Sequence, residues 1–384
     1  MHAFIHVNEP LQHEIVQAFN EAHPDIRVTI EPTGWNTAAE KLAIRTAAGA
    51  PPDIISISPW DFMQLISSGD NLLMDITRLV EQDLAEREDI PAPVWETVRH
   101  RGAIYAIPQR ISTYVTLYNT EMFDQAGLPR LPYDWYDASW NWERLQETVR
   151  RLTLDTNGDG IYDRFGLQNS FPTEFAPILF QAGGNYFDEA YERFILPEPE
   201  GMSAVNLILE MHKNGHIGGS FLSGTAAIDL GGIPWETESA QQAGLSWDVA
   251  AHPQGPGGPA TSIGPIPVAI SAHTRHPEEA WTFLKYYMSP EISARHNQGG
   301  VLIQPRRSIT GDPRYYPPYI NHDHARVFMQ TLEVGQPLRH RHKNAAAMLQ
   351  LIDDTLRSIW RLEKAPEVAL SEITPTIQAL LADR

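Results

Sequence analysis

The sequence predicts an α/β protein whose sheets are mostly parallel and are flanked by helices. Strand-like and helix-like segments alternate through the first hundred residues, and the links between them are short. That order favours right-handed strand–helix–strand units, whose successive strands run parallel. The third strand, Asp53–Ser58, is mostly apolar, as expected for a strand covered on both faces. With 384 residues, the chain is long enough for two or three domains.

The first element is a strand over Phe4–Asn8, and a helix follows from Pro10 with apolar residues at helical spacing. Pro24 ends this helix, and Arg27–Glu31 alternates in the manner of a strand. A second helix covers 35–48, before a glycine and two prolines. Further helices are predicted over 174–182, 201–214, 277–288, 322–334, 344–363 and 366–381, and further extended segments over 102–108, 114–119, 225–230, 247–252 and 266–271.

Composition excludes several classes of function. The chain has 29 Lys and Arg residues against 48 Asp and Glu residues, a formal charge of -19, which disfavours binding to nucleic acid or to an anionic membrane. It has no cysteine, which excludes thiol nucleophiles, iron–sulfur clusters and disulfides. No apolar run has the roughly 18 residues that a membrane span needs, and none resembles a signal-peptide core. The protein is therefore cytosolic, or its precursor carries a leader that this sequence lacks.

Catalytic motifs are missing from the sequence. It contains no nucleophile elbow, phosphate-binding loop, dinucleotide-binding glycine motif or His-Glu-x-x-His zinc helix. A glycosidase needs only two well-placed carboxylates, so catalysis of that kind stays open. The histidines of His322–His324 and of His340–His342 are two residues apart and point to different faces of a helix. We expect them to be solvated surface side chains rather than metal ligands.

One loop has the spacing of a calcium-binding loop. Oxygen-bearing side chains occupy positions one, three, five and nine of an EF-hand-like loop, namely Asp155, Asn157, Asp159 and Asp163. Gly160 stands at position six, where the loop turns tightly, but Gly166 replaces the bidentate glutamate of position twelve. The segment is either a structural calcium site or a turn rich in Asx residues and glycine. The sequence implies no other cofactor.

Four aromatic residues follow strands or glycine-rich turns instead of lying on an apolar helix face: Trp35, Trp60, Tyr186 and Trp235. Loops beyond the carboxyl ends of parallel strands are where α/β folds bind ligands. Aromatic faces that pack on sugar C–H groups, together with amides and carboxylates on the hydroxyls, make a saccharide site. The alternative is that these rings only cover the core beneath long loops.

Several short segments recur in a characteristic order across nearly the whole chain. They are Val16–Phe19, His23–Val28, Ala47–Ile54, Ala103–Pro108, Leu117–Asn119, Trp142–Leu145, Gln181–Gly184, Pro277–Leu284 and Gly299–Arg306. Each is weak alone, but their combination resembles the family 1 extracellular solute-binding proteins, the sugar-capturing components of ABC importers related to maltodextrin-binding protein. The acidic glycine loop before Gly166 also occurs in many members of that family.

The resemblance implies a two-lobe periplasmic-binding-protein fold with three crossovers, which closes on its ligand like a hinge. We expect one lobe to comprise 1–110 and 264–309 and the other 111–263 and 310–384, with a ligand cleft between them. The resemblance also implies an extracytoplasmic protein, in the periplasm or on the cell surface, whose precursor has a leader and often a lipid-bearing cysteine. Its partners would be ABC permease subunits, and we expect a monomer.

The resemblance also suggests ligand-binding positions. They are Asn8 and Glu9 after the first strand, Trp35 and Asn36 after the second, Ser58, Trp60 and Asp61 after the third, Gln109 and Arg110 at the first crossover, Phe171, Tyr186 and Trp235 in the second lobe, and Arg306. Trp235 is the leading candidate for a stacking platform. Arg110 could donate a bidentate pair of hydrogen bonds to the ligand or form an ion pair between the lobes.

The leading functional prediction is a binding protein that captures a mono- or oligosaccharide by hinge closure and delivers it to an ABC importer permease. Within the same class, the solute could instead be a glycerol phosphodiester or a polyamine. A polyamine site would need clustered carboxylates with aromatic residues. A carboxylate-dependent glycosidase and a ligand-sensing protein that contacts a receptor are the alternatives from other classes.

Overall fold

The computed structural model describes residues 1–384 except 6–9, 35–36, 85, 171–173, 298–300, 339–341 and 384. The side chain of Trp60 also lies outside the described part. The strands are β1 (His2–Ile5), β2 (Thr29–Pro32), β3 (Ile54–Ser56), β4 (Arg99–His100), β5 (Ala103–Ile104), β6 (Ile107–Thr113), β7 (Val115–Asn119), β8 (Phe165–Leu167), β9 (Ala226–Gly232), β10 (Trp247–Ala250), β11 (Thr261–Ile270) and β12 (Gly335–Pro337).

The helices are α1 (Pro10–Ala22), α2 (Ala38–Ala47), α3 (Pro59–Ser68), α4 (Thr77–Asp83), α5 (Ala92–Glu96), α6 (Thr120–Gln125), α7 (Trp142–Leu152), α8 (Phe175–Gln181), α9 (Pro199–Lys213), α10 (Glu236–Gln242), α11 (Pro277–Tyr287), α12 (Pro290–Asn297), α13 (Arg307–Thr310), α14 (His322–Val334), α15 (Ala345–Trp360) and α16 (Pro366–Ala382). They confirm the helices predicted from periodicity, with ends that differ by a few residues. None of the helices in the described part of the chain has the length and apolar character that crossing a membrane needs.

The chain divides into two compact units. The first unit comprises Met1–Ser112, Gly264–Pro317 and His340–Lys343, and the second comprises Thr113–Ile263, Pro318–Arg339 and Asn344–Arg384. Residues 310–317, which the sequence analysis assigns to the second lobe, belong to the first unit. The reason is local bonding, since the Thr310 hydroxyl donates to the Gln304 carbonyl and the Tyr316 hydroxyl donates to the Thr310 carbonyl.

The first unit is built around three parallel strands. β1 lies between β2 and β3 and runs parallel to both, as the strand–helix order predicts. Residues Val268–Ile270 of β11 pair antiparallel with β3 at the next position. Phe19 of α1 is fully buried and meets Phe283 of α11 edge to face, with ring centroids 5.0 Å apart. Burial of one such side chain stabilises the fold by about 1.5–3 kcal/mol.

The second unit has a sheet of mixed direction, which corrects the expectation of a mostly parallel one. Its order is β10-β7-β9-β8, and β7 runs antiparallel to both of its neighbours. Only the β8–β9 pair is parallel. α10 connects β9 to β10 along the chain, and these two strands lie on either side of β7 in the sheet. The connection through α10 therefore crosses over β7.

Gly166 in β8 is required by packing. A Cβ atom at this position would lie 2.1 Å from the Val149 carbonyl oxygen of α7. No side chain can be accommodated at that distance, so this glycine brings α7 against β8. Gly166 therefore has a structural reason of its own, separate from its place in the calcium-like spacing.

Candidate functional site

Asp229 is a buried carboxylate within an otherwise apolar strand. Every residue of β9 is buried, and Asp229 itself is 3% exposed. Its Oδ1 accepts a hydrogen bond of 2.8 Å from the Gly231 amide, and its Oδ2 accepts one of 2.8 Å from Gln168 Nε2. The Gln168 side chain is fixed in turn, since its Oε1 accepts a hydrogen bond of 2.6 Å from the Phe221 amide. Both oxygens of Asp229 are thus held by the second unit itself.

Two further acidic side chains lie beside the end of β9. Glu174, directly before α8, packs its side chain on Gly231, where a Cβ atom would lie 2.4 Å from Glu174 Cγ. The Oε2 atom of Glu174 is enclosed and has no partner of good hydrogen-bond geometry among the described residues, although the Ser170 side chain is close enough to lower the pKa of Glu174. Glu236, the first residue of α10, accepts a hydrogen bond of 3.0 Å from the Ile233 amide. The glycine that ends this strand therefore lets a glutamate approach the backbone closely.

The three carboxyls disfavour one another's ionisation. Burial raises the pKa of Glu174 to about 8, and the charges of Asp229 and Glu236 add to the rise. Burial also raises the pKa of Asp229 to about 7, against the opposing effect of the Gly231 hydrogen bond. Burial likewise raises the pKa of Glu236, against the opposing effect of the hydrogen bond from the Ile233 amide. Near neutral pH, Glu174 and Asp229 are therefore protonated for part of the time.

Two aromatic residues complete the group. Trp235 directly precedes α10 and is 50% exposed, which is unusual for so large an apolar side chain. Tyr114 feels the charges of Glu174, Glu236 and Asp229, and burial together with these charges raises its pKa to about 12. We use the name β9 site for the group Tyr114, Gln168, Glu174, Asp229, Trp235 and Glu236. Its exposed tryptophan directly precedes Glu236 in the chain, and aromatic and acidic residues together suit a polar ligand with apolar faces.

Sequence reasoning selects only Trp235 from this group. The signal that could have found Asp229 is a charged residue within an apolar strand that ends in two glycines. Such a residue is buried and needs partners. Glu174 and Tyr114 carry no comparable signal, since they reach the β9 site from distant parts of the chain.

Tyr186 lies in the core of the second unit. It is 5% exposed, and its ring centroid is 6.5 Å from that of Phe187. Burial raises its pKa strongly. As placed, this ring covers the core, which is the alternative stated for it in the sequence analysis, and it offers no exposed face to a ligand. Phe171 lies outside the described residues.

In the first unit, Ser58 and Asp61 form the start of α3. The Ser58 hydroxyl accepts a hydrogen bond of 3.1 Å from the Asp61 amide, which caps the helix after β3. Burial raises the pKa of Asp61, against the Ser58 hydrogen bond, and its Oδ2 is enclosed without a hydrogen-bond partner among the residues that the structure describes. The predicted positions Asn8, Glu9, Trp35 and Asn36, and the side chain of Trp60, lie outside the described residues.

Gln109 belongs to a buried polar network in the first unit. Its Nε2 donates a hydrogen bond of 2.7 Å to the Tyr287 hydroxyl, which donates one of 2.5 Å to Gln12 Oε1. Gln109 is 4% exposed, so its side chain contacts this network and not the solvent. Arg110, the next residue of β6, is partly exposed. It lies near His296, whose pKa is lowered to about 4 by burial and then by the charge of Arg110.

Arg306 has a structural environment in place of the predicted ligand contact. It is 1% exposed, and its guanidinium donates to the Glu86 carbonyl at 3.1 Å and to the Met288 carbonyl at 3.0 Å. Carboxylate oxygens of Asp89 and Glu86 lie 3.8 and 3.9 Å away. Burial lowers the pKa of Arg306, although both acids oppose this. As placed, the side chain joins the end of α11 to the segment before α5.

The calcium-like loop closes through its own hydrogen bonds. Asp155 accepts from the amides of Gly158 and Gly160, both at 2.7 Å. Asp163 accepts from the amide and the hydroxyl of Thr156, at 2.9 and 2.7 Å. Among the described residues, no three acidic or histidine side chains converge as metal ligands. The donor arrangement favours the turn interpretation, and calcium at Asp155, Asn157, Asp159 and Asp163 stays a prediction.

His324 corrects the expectation of surface histidines. It is buried, and its Nε2 lies 2.8 Å from Asp248 Oδ1. The hydroxyls of Tyr133 and Tyr118 both donate to the other oxygen of Asp248. Burial raises the pKa of Asp248, but the hydrogen bonds from His324 and Tyr133 lower it by more. The pKa of Asp248 is therefore below its ordinary value. The histidine joins α14 to β10, which a two-residue spacing does not reveal.

Comparison with known proteins supports one family. The chain is 23% identical over 322 residues to an uncharacterized lipoprotein of Streptomyces antibioticus, covering 78% of this chain and 68% of that protein. The sugar-binding protein MalE from Xanthomonas citri superposes with a TM-score of 0.85 at 19% identity, over 100% of this chain and 97% of that one. An ABC substrate-binding protein from Listeria monocytogenes, solved with cycloalternan, superposes with a TM-score of 0.77 at 20% identity, over 100% and 98%.

These superpositions show the two-lobe periplasmic-binding-protein fold that the sequence predicts. The family model described as bacterial extracellular solute-binding protein matches residues 7–294, which is most of the chain. The match confirms the resemblance drawn from the order of short sequence segments. The protein belongs to the bacterial extracellular solute-binding protein family.

Proposed function

We propose that the protein binds a carbohydrate through the β9 site. The observation that carries this proposal is Trp235, a residue that is 50% exposed and directly precedes Glu236 at the start of α10. The indole can pack on the C–H face of a sugar ring, while carboxyl oxygens hydrogen-bond to its hydroxyls. Asp229 and Gln168 are hydrogen-bonded to each other and to backbone amides of the same unit, so both side chains have fixed positions in the site.

The solved relatives support a sugar as the ligand. One was solved with cycloalternan, and another, described as a cyclo/maltodextrin-binding protein, with maltotetraose. The latter superposes with a TM-score of 0.81 at 18% identity over 99% of this chain and 96% of that one. Because these identities are low, the choice of sugar for this chain depends on its own side chains.

The proposed role is delivery of the bound sugar to the permease subunits of an ABC importer. This places the protein outside the cytoplasm, in agreement with the family description and with a lipoprotein among its relatives. A ligand drives a conformational change only through different affinities for the two states. Asp61 and Arg110 stay candidates for ligand binding in the first unit.

We do not assign catalysis to the acidic group. A retaining or inverting glycosidase needs one carboxyl that can protonate the leaving group and a second that reaches the sugar or a water. Asp229 is buried, and both of its oxygens already accept hydrogen bonds. Trp235 and the carboxyls therefore fit a binding site better than an acid–base pair.

The experiment is a thermal-shift screen over a library of mono- and oligosaccharides, followed by product analysis of each mixture. A ligand at 100 times its Kd stabilises the folded protein by about 2.7 kcal/mol, which is a readily measured shift. We expect at least one carbohydrate to raise the melting temperature and to be recovered unchanged. Cleavage of the sugar, or a shift with charged solutes that contain no sugar and with no carbohydrate, would contradict the proposal.

A further inference from the structure

We propose that the first unit has a binding site of its own, which takes a small organic acid with an apolar body. The site is a cavity of about 490 Å³, within the range of small-molecule pockets. Its described lining residues are Val80, Glu81, Arg87, Trp95, Arg99 and Ile104. All of them belong to the first unit, whereas the β9 site belongs to the second, so this inference goes beyond the proposed function.

Half of these lining side chains are apolar or aromatic. Val80 of α4 and Ile104 of β5 are each 2% exposed, so they form the inner surface of the cavity. Trp95 of α5 is partly exposed, and its indole nitrogen donates a hydrogen bond of 3.2 Å to the Arg87 carbonyl. This bond fixes the position of the ring. An aliphatic or aromatic group can therefore pack against a preformed surface.

Arg87 supplies a positive charge without a counter-charge. It starts the single helical turn Arg87–Asp89, and its Nη1 donates to the Glu81 backbone carbonyl. Among the described residues, that is the one hydrogen bond of a guanidinium that has five N–H donors, and no acidic side chain forms an ion pair with it. A guanidinium beside an apolar surface binds a carboxylate well, because two parallel N–H donors match its two oxygens.

Arg99 is the second guanidinium of the cavity, but its charge is already balanced. It lies opposite Ile104 in the β4–β5 pair, which explains why both reach the same cavity. Its Nη1 donates 2.8 Å to the Gly102 carbonyl, and its Nε lies 3.1 Å from Glu96 Oε1. The Glu81 side chain is exposed, so water solvates its carboxylate. Arg87 is therefore the group that selects the charge of the ligand.

The test uses three probes that share a phenyl ring and a propyl chain and differ in the end group: phenylpropionate, phenylpropanol and phenylpropylamine. The whole protein, labelled with fluorotryptophan, is titrated by fluorine NMR, and a Trp95→Phe variant assigns the Trp95 resonance. We expect a saturable shift of this resonance, with the acid binding about tenfold tighter than the alcohol, the usual effect of a charge-assisted hydrogen bond. The amine should bind most weakly. No saturable shift, equal affinities, or tighter binding of the amine would overturn the inference.

A matched pair of arginine variants locates the charge. Arg87→Met should lower the affinity for phenylpropionate about tenfold, to that of phenylpropanol. Arg78 is exposed on α4 and donates to Gln82 Oε1 at 3.0 Å. Arg78→Met removes the same charge and should leave the preference for the acid intact. If it weakens the acid as much as Arg87→Met does, the effect is only the overall charge, and the inference fails.

A peptide probe separates a free acid from a carboxylate on a partner chain. If the acetylated dipeptide amide of aspartate and phenylalanine binds tenfold tighter than phenylpropionate, the cavity is a docking pocket and the assignment to a small acid is wrong. Failure of the proposed function is seen separately, in the carbohydrate screen. Arg87→Met should keep the wild-type response to the carbohydrate, since Arg87 is not part of the β9 site. The comparison of probes on the unmodified protein decides the inference even if a variant does not fold.

Discussion

Glu174 has an environment unlike that of a surface carboxyl. It is packed on a glycine, one of its oxygens is enclosed, and two like charges lie nearby. Arg306 is its counterpart in the first unit, a buried charge whose two terminal nitrogens donate to carbonyls of its own unit. From sequence alone, an arginine that holds two carbonyls cannot be distinguished from one that holds a ligand. Glu86 and Asp89 are far from Arg306 in the chain. The sequence therefore does not show that Arg306 contacts them, and its place after a glycine-rich turn predicts a ligand contact instead.

The raised pKa of Glu174 predicts how pH changes stability. Between its ordinary pKa of 4.5 and its folded value of about 8, the folded state binds more protons than the unfolded state. The free energy of unfolding therefore falls as pH rises through this window. Glu174→Gln cannot ionise, so it should melt above the wild type at about pH 8.5 and level with it at about pH 4.5. Circular dichroism melts at both pH values test this, with Glu238→Gln as the exposed control. A lower melting temperature for Glu174→Gln at the higher pH would contradict the account.

A substitution of Arg306 should reduce stability and leave the affinity of folded protein unchanged. Arg306→Met leaves the Glu86 and Met288 carbonyls without their donors, which should cost about 2–4 kcal/mol in the free energy of unfolding. Urea denaturation measures that loss, and titration below the melting point measures binding. A stable variant with weakened binding would instead assign Arg306 to the ligand.

At the scale of elements, periodicity predicts the helices and the parallel strands of the first unit because both depend on local spacing. It does not predict that β7 inserts between β9 and β10, since strand neighbours are decided by pairing between distant segments. The same limit applies to the β9 site. Trp235 follows a strand and is predicted, while Glu174 meets Gly231 only through the packing of α8 on the sheet.

The loop between α7 and β8 tests an element-scale prediction. Its carboxylates accept hydrogen bonds from the loop's own amides, so we expect the loop to fold without an ion. Excess calcium or a chelator should then shift the melting temperature by less than about 1 °C. Asp155→Ala should lower the free energy of unfolding by about 1 kcal/mol, because the amides of Gly158 and Gly160 lose their acceptor. A calcium-dependent rise of several degrees would show a structural ion.

At the scale of the whole molecule, the account predicts a change of state on binding. A ligand that takes a two-state protein from 1% to 99% closed must favour the closed state by about 5.5 kcal/mol. We expect saturating sugar to lower the radius of gyration in small-angle X-ray scattering. An unchanged radius at full saturation would show that binding and closure are not coupled.

The central claim is that Trp235 and the acidic group of β9 form the sugar site, and one titration tests it most directly. Wild type, Trp235→Ala and Tyr136→Ala would be titrated calorimetrically with the carbohydrate that gives the largest thermal shift. Trp235 and Tyr136 are exposed to 50% and 57% and both lie in the second unit, so each variant removes one exposed ring. We predict that Trp235→Ala keeps its melting temperature and loses roughly 2 kcal/mol of binding, about thirtyfold in Kd, while Tyr136→Ala binds like the wild type. Normal binding by a folded Trp235→Ala variant would contradict the claim.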